Sequence, residues 1–359
     1  MSPNPRKQFD GKRVLVTGGT GSLGKTLVRR LLDGKAGDAK KIIVFSRDET
    51  KQHHMRLDYQ HKANATEEVI YRDFEQKLEF RIGDVRDYAS VVSVLRDVDI
   101  VINTAAMKQV PSCEYAPYEA VKTNIVGAEN IVRAIQEQDF PVETVVGVST
   151  DKACKPINVM GMTKSIQERV FIQGNMRHPA TRFICVRYGN VLASRGSVVP
   201  LFIEQIRKGG PVTVTTSEMT RFLLSLEDAV DTVFGAIASA ERGEVFVPRA
   251  PSALVMNVAK ALIGGRKIKI TTTGIRPGEK VHESLISDEE ATRTVDRGKW
   301  YAIRPMLPEV GDQKVIKSAL STEYTSSDNV MDLKKTEELL RRNSLMVDEV
   351  SMAAGEILR

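Results

Sequence analysis

The sequence predicts an α/β fold: a Rossmann-like doubly wound parallel sheet with a smaller α/β substrate-binding lobe. Three observations carry that expectation. Short continuous apolar runs alternate with amphipathic helical patterns, as in a parallel sheet covered on both faces. A glycine triplet fills the turn between the first such run and the first helix. After Tyr188 the alternation breaks up into segments punctuated by Gly, Pro and Arg, which suit a separate lobe.

Arg13-Val14-Leu15-Val16 reads as the first strand, and Leu23, Leu27, Val28 and Leu31 then recur at helical spacing. Further strands are expected at Ile42–Phe45, Leu78–Ile82, Ile100–Ile102, Thr144–Val148 and Phe183–Val186. Helical patterns lie between them, for example Ala89–Leu95 and Ala120–Glu137. The charged stretch Lys51–Lys77 fits either a helical insertion or a solvated loop. Leu226–Ser239 and Val245–Val247 read as a return to the sheet, and Leu333–Arg342 as a charged helix. The expected organisation is a dinucleotide-binding domain over residues 10–188, with return segments at about 222–248. A substrate-binding lobe would span 189–221 and 249–320, followed by a C-terminal tail with a helix over 321–359.

Composition narrows the function. The 359 residues are 42% hydrophobic and 27% charged, as in an ordinary globular protein. The net charge of +6 is spread along the chain, so no nucleic-acid footprint is read from it, although it suits anionic ligands. No apolar run is long enough for membrane insertion, and Met1–Asp10 lacks the apolar run of a secretory signal. Cys113, Cys154 and Cys185 lie far apart without metal-type spacing, which points to a reducing, cytoplasmic setting.

The turn Thr17-Gly18-Gly19-Thr20-Gly21-Ser22-Leu23-Gly24 fits Gly-x-x-Gly-x-x-Gly. Gly18 permits the tight turn, Gly21 lets a pyrophosphate approach the backbone, and Gly24 lets helix and strand pack closely. Thr20, Ser22 and Leu23 complete this phosphate cradle at a helix N-terminus. At the end of the second strand, Ser46-Arg47-Asp48 with Lys51 favours NADP, because Arg accommodates a ribose 2′-phosphate. Asp48 keeps NAD open. Asp84 and Val85 are placed to meet the adenine, with a helix N-cap as the plain alternative for Asp84. Ala105, Ala106 and Lys108 would line the nicotinamide side, and Asn124 and Lys164 complete the expected cofactor contacts.

Downstream, Ser149-Thr150-Asp151-Lys152 precedes Met160-Gly161-Met162-Thr163-Lys164. The arrangement is that of a Ser followed by Tyr-x-x-x-Lys, with Met160 at the tyrosine position. With these residues in hand, the chain resembles an extended short-chain dehydrogenase/reductase. More narrowly, it resembles the bacterial UDP-N-acetylglucosamine 4,6-dehydratases of surface polysaccharide synthesis. The resemblance rests on Ser46–Glu49, Ala105–Pro111, Ser149–Ala153, Arg187–Val191, Met219–Phe222 and Gly274–Lys280, over roughly residues 10–330. One branch, the CapE-like dehydratase/5-epimerases, carries Met where the superfamily has Tyr, and the tail around Glu323–Ser326 also looks like that branch.

The resemblance implies oxidation at C4 of the sugar, removal of the C5 proton, loss of water from C6, and return of hydride to C6. Asp151 is then expected to be the acid for the C6 hydroxyl and Lys152 the C5 base, with its pKa lowered by desolvation. Retaining relatives carry Glu after the Asp, so Lys152 argues for inversion at C5. Thr150 would hydrogen-bond the C4 oxygen, Lys164 would hold the nicotinamide ribose, and Met160 would fill space beside the sugar. Lys152, Asp151 or a water relayed through Thr150 could remove the C4 hydroxyl proton. For the UDP moiety, Arg195, Arg221 and Arg276 offer guanidinium forks, with Lys108, Asn190 and Glu279 as further contacts. His282, Glu283 and Cys154 read as structural, and no metal site is expected. The partners expected are UDP-N-acetylglucosamine and further copies of the chain, as a dimer or hexamer. A UDP-hexose 4-epimerase and a catalytically silent NADP-binding sensor are the competing readings.

Overall fold

The computed structural model describes residues 7–65, 74–192, 197–311 and 317–349, without the side chains of 62–65. Strands β1 (Arg13–Thr17), β2 (Lys41–Ser46), β3 (Leu78–Ile82), β4 (Ile100–Asn103), β5 (Thr144–Thr150) and β6 (Arg182–Tyr188) form as the apolar runs require. They pair in parallel in the order β3–β2–β1–β4–β5–β6. The order reverses between β1 and β4, and that reversal opens the crevice in which such sheets bind ligands.

The short β7 (Asn190–Val191), β8 (Val212–Val214) and β9 (Thr220–Leu224) leave the sheet. The chain returns with β10 (Val245–Pro248), parallel to β6. β11 (Ser252–Leu254), β12 (Ile270–Thr272) and β13 (Ser284–Ile286) again lie outside it. The antiparallel hairpin β14 (Thr294–Arg297) and β15 (Trp300–Ile303) then extends it to nine strands.

Apolar helical stripes cover both faces. Helix α1 (Ser22–Leu32) buries Leu27, Val28 and Leu31 on one side. Helix α2 (Glu49–Ala65), in the stretch that read as either insertion or loop, buries Gln52, Met55 and Tyr59. Helices α3 (Tyr88–Leu95), α4 (Gly127–Gln138) and α5 (Val159–Arg177) cover the other face. The stretch expected as one helix over Ala120–Glu137 begins instead with a π-helical turn, Val121–Val126, before α4. Gly147 in β5 lets α5 approach: a Cβ there would lie 2.4 Å from the Phe171 ring.

The lobe has its own core, built from α6 (Val198–Arg207), α8 (Val255–Ile263) and the strands around them. Helix α7 (Leu226–Ser239), between these two, packs back on the large sheet. Residues 321–349 are woven into the lobe. β16 (Tyr324–Thr325) pairs with β13, and β17 (Val330–Met331) joins β11 in the sheet β17–β11–β9–β7. Helix α9 (Leu333–Arg342) buries Leu340 in the lobe core.

Candidate active site

The C-terminal ends of β1, β4, β5 and β6 and the facing lobe enclose a cavity of about 1380 Å³. A smaller cavity, about 700 Å³ between Arg13, Lys41, Glu79 and Arg96, touches none of the motif residues.

One half is a dinucleotide cradle. Gly18 has a φ of 64°, and a Cβ on it would lie 2.8 Å from the Ala105 nitrogen, so only glycine lets the two loops touch. A Cβ on Gly24 would lie 2.5 Å from the Gly19 Cα, which is the close helix packing expected of it. Helix α1 starts after Gly21 with no side-chain cap, leaving its first N–H groups to a ligand. Ser22, Leu23, Ala105, Ala106 and Lys108 line the cavity. The Thr20 hydroxyl donates to Ser46 Oγ at 3.3 Å, and Gln52 fixes Ser46 through its carbonyl at 2.9 Å and its hydroxyl at 3.0 Å.

Beyond β2, the exposed Arg47 lies 3.9 Å from Asp84, and Asp48 pairs with Lys51 at 2.7 Å. Burial pushes the Asp84 carboxyl up, but Arg86, at 2.6 Å, outweighs it and holds the group below its ordinary value. The N-cap of α3 is Asp87, not Asp84.

Two of the expected cofactor residues are also engaged within the protein. Val85 is buried in the core, with its carbonyl accepting from Asn130 at 2.9 Å. Asn124, fully buried in the π-helical turn, accepts from the Met107 N–H at 2.8 Å and donates to the Met107 carbonyl at 3.0 Å and to Thr163 at 2.9 Å. It thereby shapes the Ala105–Lys108 wall of the cavity. Lys164 lines the cavity, donating to the Val148 carbonyl at 2.5 Å and to Gln167 at 2.6 Å. Burial pushes its ammonium down to about 8.

The other half carries the acid–base groups. β5 ends in a 3₁₀ turn, Asp151–Ala153, on which α5 sits so closely that a Cβ on Gly161 would lie 2.2 Å from the Lys152 carbonyl oxygen. Asn158 caps α5 by accepting from Gly161 at 2.8 Å and ties it to the lobe by donating to the Gly278 carbonyl at 2.9 Å. Thr150 Oγ1 donates to Asp151 Oδ1 at 2.9 Å. Lys152 Nζ lies 3.2 Å from Asp151 Oδ1 and 3.1 Å from Glu283 Oε1. Asp151 Oδ2 and Glu283 Oε2 are buried with no hydrogen-bond partner among the described residues.

Burial alone would pull the Lys152 ammonium down, but Asp151 and Glu283 outweigh burial and the nearby Arg221, leaving it above its ordinary value. The expected lowered pKa is therefore corrected: two carboxylates hold this lysine protonated. The structural reading of Glu283 is corrected as well, since it lines the cavity against Lys152. No sequence signal could have placed it there, because it lies 131 positions beyond its partner. His282 does play a structural part, with Nδ1 at 2.8 Å from Thr220 Oγ1.

Met160 is buried in an apolar cluster with Cys113, Ala120, Met107 and Val110 at the cavity wall. Tyr188, which sequence reasoning left without a role, also lines the cavity beside Thr150, and burial pushes its hydroxyl well up. On the lobe side, Asn190, Arg276 and Glu279 line the cavity, with Asn190 Oδ1 and Glu279 Oε2 unpartnered among the described residues. Arg221 lines it too, but its guanidinium is not a free fork. It donates to the carbonyls of Thr220 at 2.7 Å, Lys280 at 2.9 Å and Val281 at 3.0 Å. Arg195 lies outside the described residues. Among the described residues, no group of three His, Cys, Asp or Glu side chains is placed to hold a metal.

Beneath the turn sits a buried ionic knot. Arg187 at the end of β6 meets Glu168 of α5 at 2.6 and 3.1 Å and Glu290 of the lobe at 2.8 and 3.0 Å. It also donates to the Leu285 carbonyl at 2.9 Å.

The model of a family described as "polysaccharide biosynthesis protein" matches residues 14–305. A Rickettsia typhi protein named UDP-glucose 4-epimerase is 41% identical over 96% of this chain and 100% of its own length. The solved structure of Pen from Bacillus thuringiensis is 33% identical, covers 94% of this chain and 99% of its own, and superposes with a TM-score of 0.83. The structure of DesIV, a dTDP-glucose 4,6-dehydratase from Streptomyces venezuelae solved with NAD bound, shares the fold. It is 20% identical over 75% of this chain and 86% of its own, with a TM-score of 0.62.

Proposed function

The chain belongs to the polysaccharide biosynthesis protein family, a group of nucleotide-sugar dehydratases and epimerases, and from that premise we propose that it is a UDP-N-acetylglucosamine 4,6-dehydratase inverting C5. One observation carries this reading: Asp151 and Lys152 stand together at the end of β5, with Asp151 Oδ2 buried and without a hydrogen-bond partner among the described residues. Epimerisation at C4 needs no acid for a leaving C6 hydroxyl and no base at C5. Dehydration needs both.

The Gly18–Gly24 cradle fits a dinucleotide, and Arg47 and Lys51 at the end of β2 favour a 2′-phosphate, hence NADP over NAD. The nicotinamide, when bound, takes up hydride from C4 and returns it to C6. Lys164 would hold its ribose. Thr150 accepts the C4 hydroxyl proton while passing its own to Asp151 Oδ1, 2.9 Å away. The phenol missing at Met160 is thereby replaced by a two-residue relay. Asp151, now protonated, is the acid that lets the C6 oxygen leave as water. Lys152 is the base at C5. Lys108, Asn190, Arg276 and Glu279 receive the UDP group, and Arg221 holds the Lys280–Val281 backbone beside it. In this reading the product feeds bacterial surface polysaccharide synthesis in the cytoplasm, and the enzyme works as a homo-oligomer.

A second reading, UDP-hexose 4-epimerase, is favoured by the name of the Rickettsia relatives. Mass spectrometry after incubation with UDP-N-acetylglucosamine and NADP separates the readings. Loss of one water is expected; an isomer of unchanged mass would establish the epimerase, and unaltered substrate a silent binder.

A further inference from the structure

Lys152 faces two carboxylates, and the dehydration chemistry has used only one. Glu283 is 2% exposed, and its N–H donates to Ser326 Oγ at 3.0 Å, so its backbone is anchored independently of the cavity. Burying a carboxylate is costly unless its oxygens are satisfied. The molecule meets that demand elsewhere: both oxygens of Glu168 and of Glu290 are engaged by Arg187. Glu283 has Lys152 on one oxygen and an unpartnered, buried second oxygen in a residue that lines the cavity. A held ammonium, meanwhile, has no lone pair with which to take a proton from carbon.

We propose that Glu283 is a positioning residue that acts through Lys152, accepting its ammonium proton so that a neutral amine stands ready at C5; this rests on the dehydratase reading. The Lys152 N–H bond breaks as an O–H bond forms on Glu283. The freed lone pair then takes the C5 proton. The C5–H electron pair passes into the C4 carbonyl system, and as it returns the C6–O bond breaks, with the Asp151 proton leaving in the water. Lys152 and Glu283 now hold one proton more than at the start. Inversion requires C5 to take its new proton on the opposite face, from solvent, while Lys152 and Glu283 release their extra proton to solvent, so the site ends as one cation and two carboxylates. Arg221, the other charged group facing Lys152, favours the neutral amine.

The test compares Glu283→Gln and Glu283→Asp with the wild type in deuterated buffer, following water loss and deuterium at C5. Glu283→Gln is expected to lower kcat and C5 exchange together by about 100-fold with KM little changed. Glu283→Asp should recover part of both. With one anion gone, the Lys152 resonance in NMR should titrate at lower pH in Glu283→Gln than in the wild type. In a Lys152→Ala background, Glu283→Gln should cost nothing further, because its effect runs through the lysine. Wild-type exchange in Glu283→Gln, an unmoved Lys152 titration, or additive losses in the double variant would each overturn the assignment. Should Glu283→Gln not fold, Glu283→Asp decides: slowed C5 exchange is expected, and wild-type exchange overturns it. If the wild type itself releases no water, the dehydratase reading fails and this inference with it. If it releases water and the Glu283 variants match it, only this inference fails.

Discussion

At the scale of single residues, the site replaces one strong group by several coupled ones. Met160 leaves no phenol, and in the proposed mechanism the Thr150–Asp151 pair takes over the C4 proton. Thr150→Val keeps the shape and removes the hydroxyl, so kcat should fall by about 100-fold while KM stays close to wild type, as steady-state kinetics would read. Lys164 offers a pH handle. Pushed down to about 8 by burial, it is charged below that value and neutral above it. If the ammonium holds the ribose, cofactor affinity should weaken as pH rises through about 8. Calorimetric titration across that range checks this, and Lys164→Gln should flatten the dependence. Thr150, Asp151, Lys152 and Lys164 were legible in the sequence because they share one strand end and one helix turn. Glu283 was not, because its place depends on how the lobe folds back over the sheet.

At the scale of elements, the decisive contact joins α5 to the Asp151–Ala153 turn. With 2.2 Å between a Cβ on Gly161 and the Lys152 carbonyl oxygen, Gly161→Ala must push the helix off the turn. The expected cost is about 1–3 kcal/mol in urea unfolding, with product formation falling further than stability alone explains. The helix boundaries near the site were the least legible. The apolar spacing over Ala120–Glu137 is that of a plain helix, yet Val121–Val126 is a π-helical turn that carries Asn124 to the Met107 backbone. Such turns are frequent at functional sites. Periodicity of apolar residues cannot report a widened turn, because the inserted residue leaves the flanking pattern intact.

At the scale of the whole molecule, the parallel order β3–β2–β1–β4–β5–β6 was readable because each βαβ step is local. The strand pairing of the expected lobe was not, since its strands pair across long distances, as β11 does with β17. Arg187 is a second example: its carboxylate partners lie 19 and 103 positions away. Arg187→Met should strand two buried carboxylates and cost about 3–5 kcal/mol in equilibrium unfolding. Acid should act on the same knot. Burial would push the Glu290 carboxyl up, but Arg187 outweighs it and holds the group at about 2 against an ordinary 4.5. A depressed folded-state value stabilises above the unfolded one, so this contribution is complete above 4.5 and is lost as pH falls toward about 2. Thermal melts should therefore drop over that window in the wild type and show a weaker acid slope in Glu290→Gln.

The knot also bears on traffic. Arg187 fixes the Leu285–Glu290 segment to the sheet beneath the Asp151–Ala153 turn, and β16 pairs with that segment at β13. A jaw cannot swing on a hinge that is riveted. On the proposed reading, sugar nucleotide would then enter and leave through the mouth of the cavity that Arg276 lines, with the enzyme as a dock with a fixed quay rather than a closing hand.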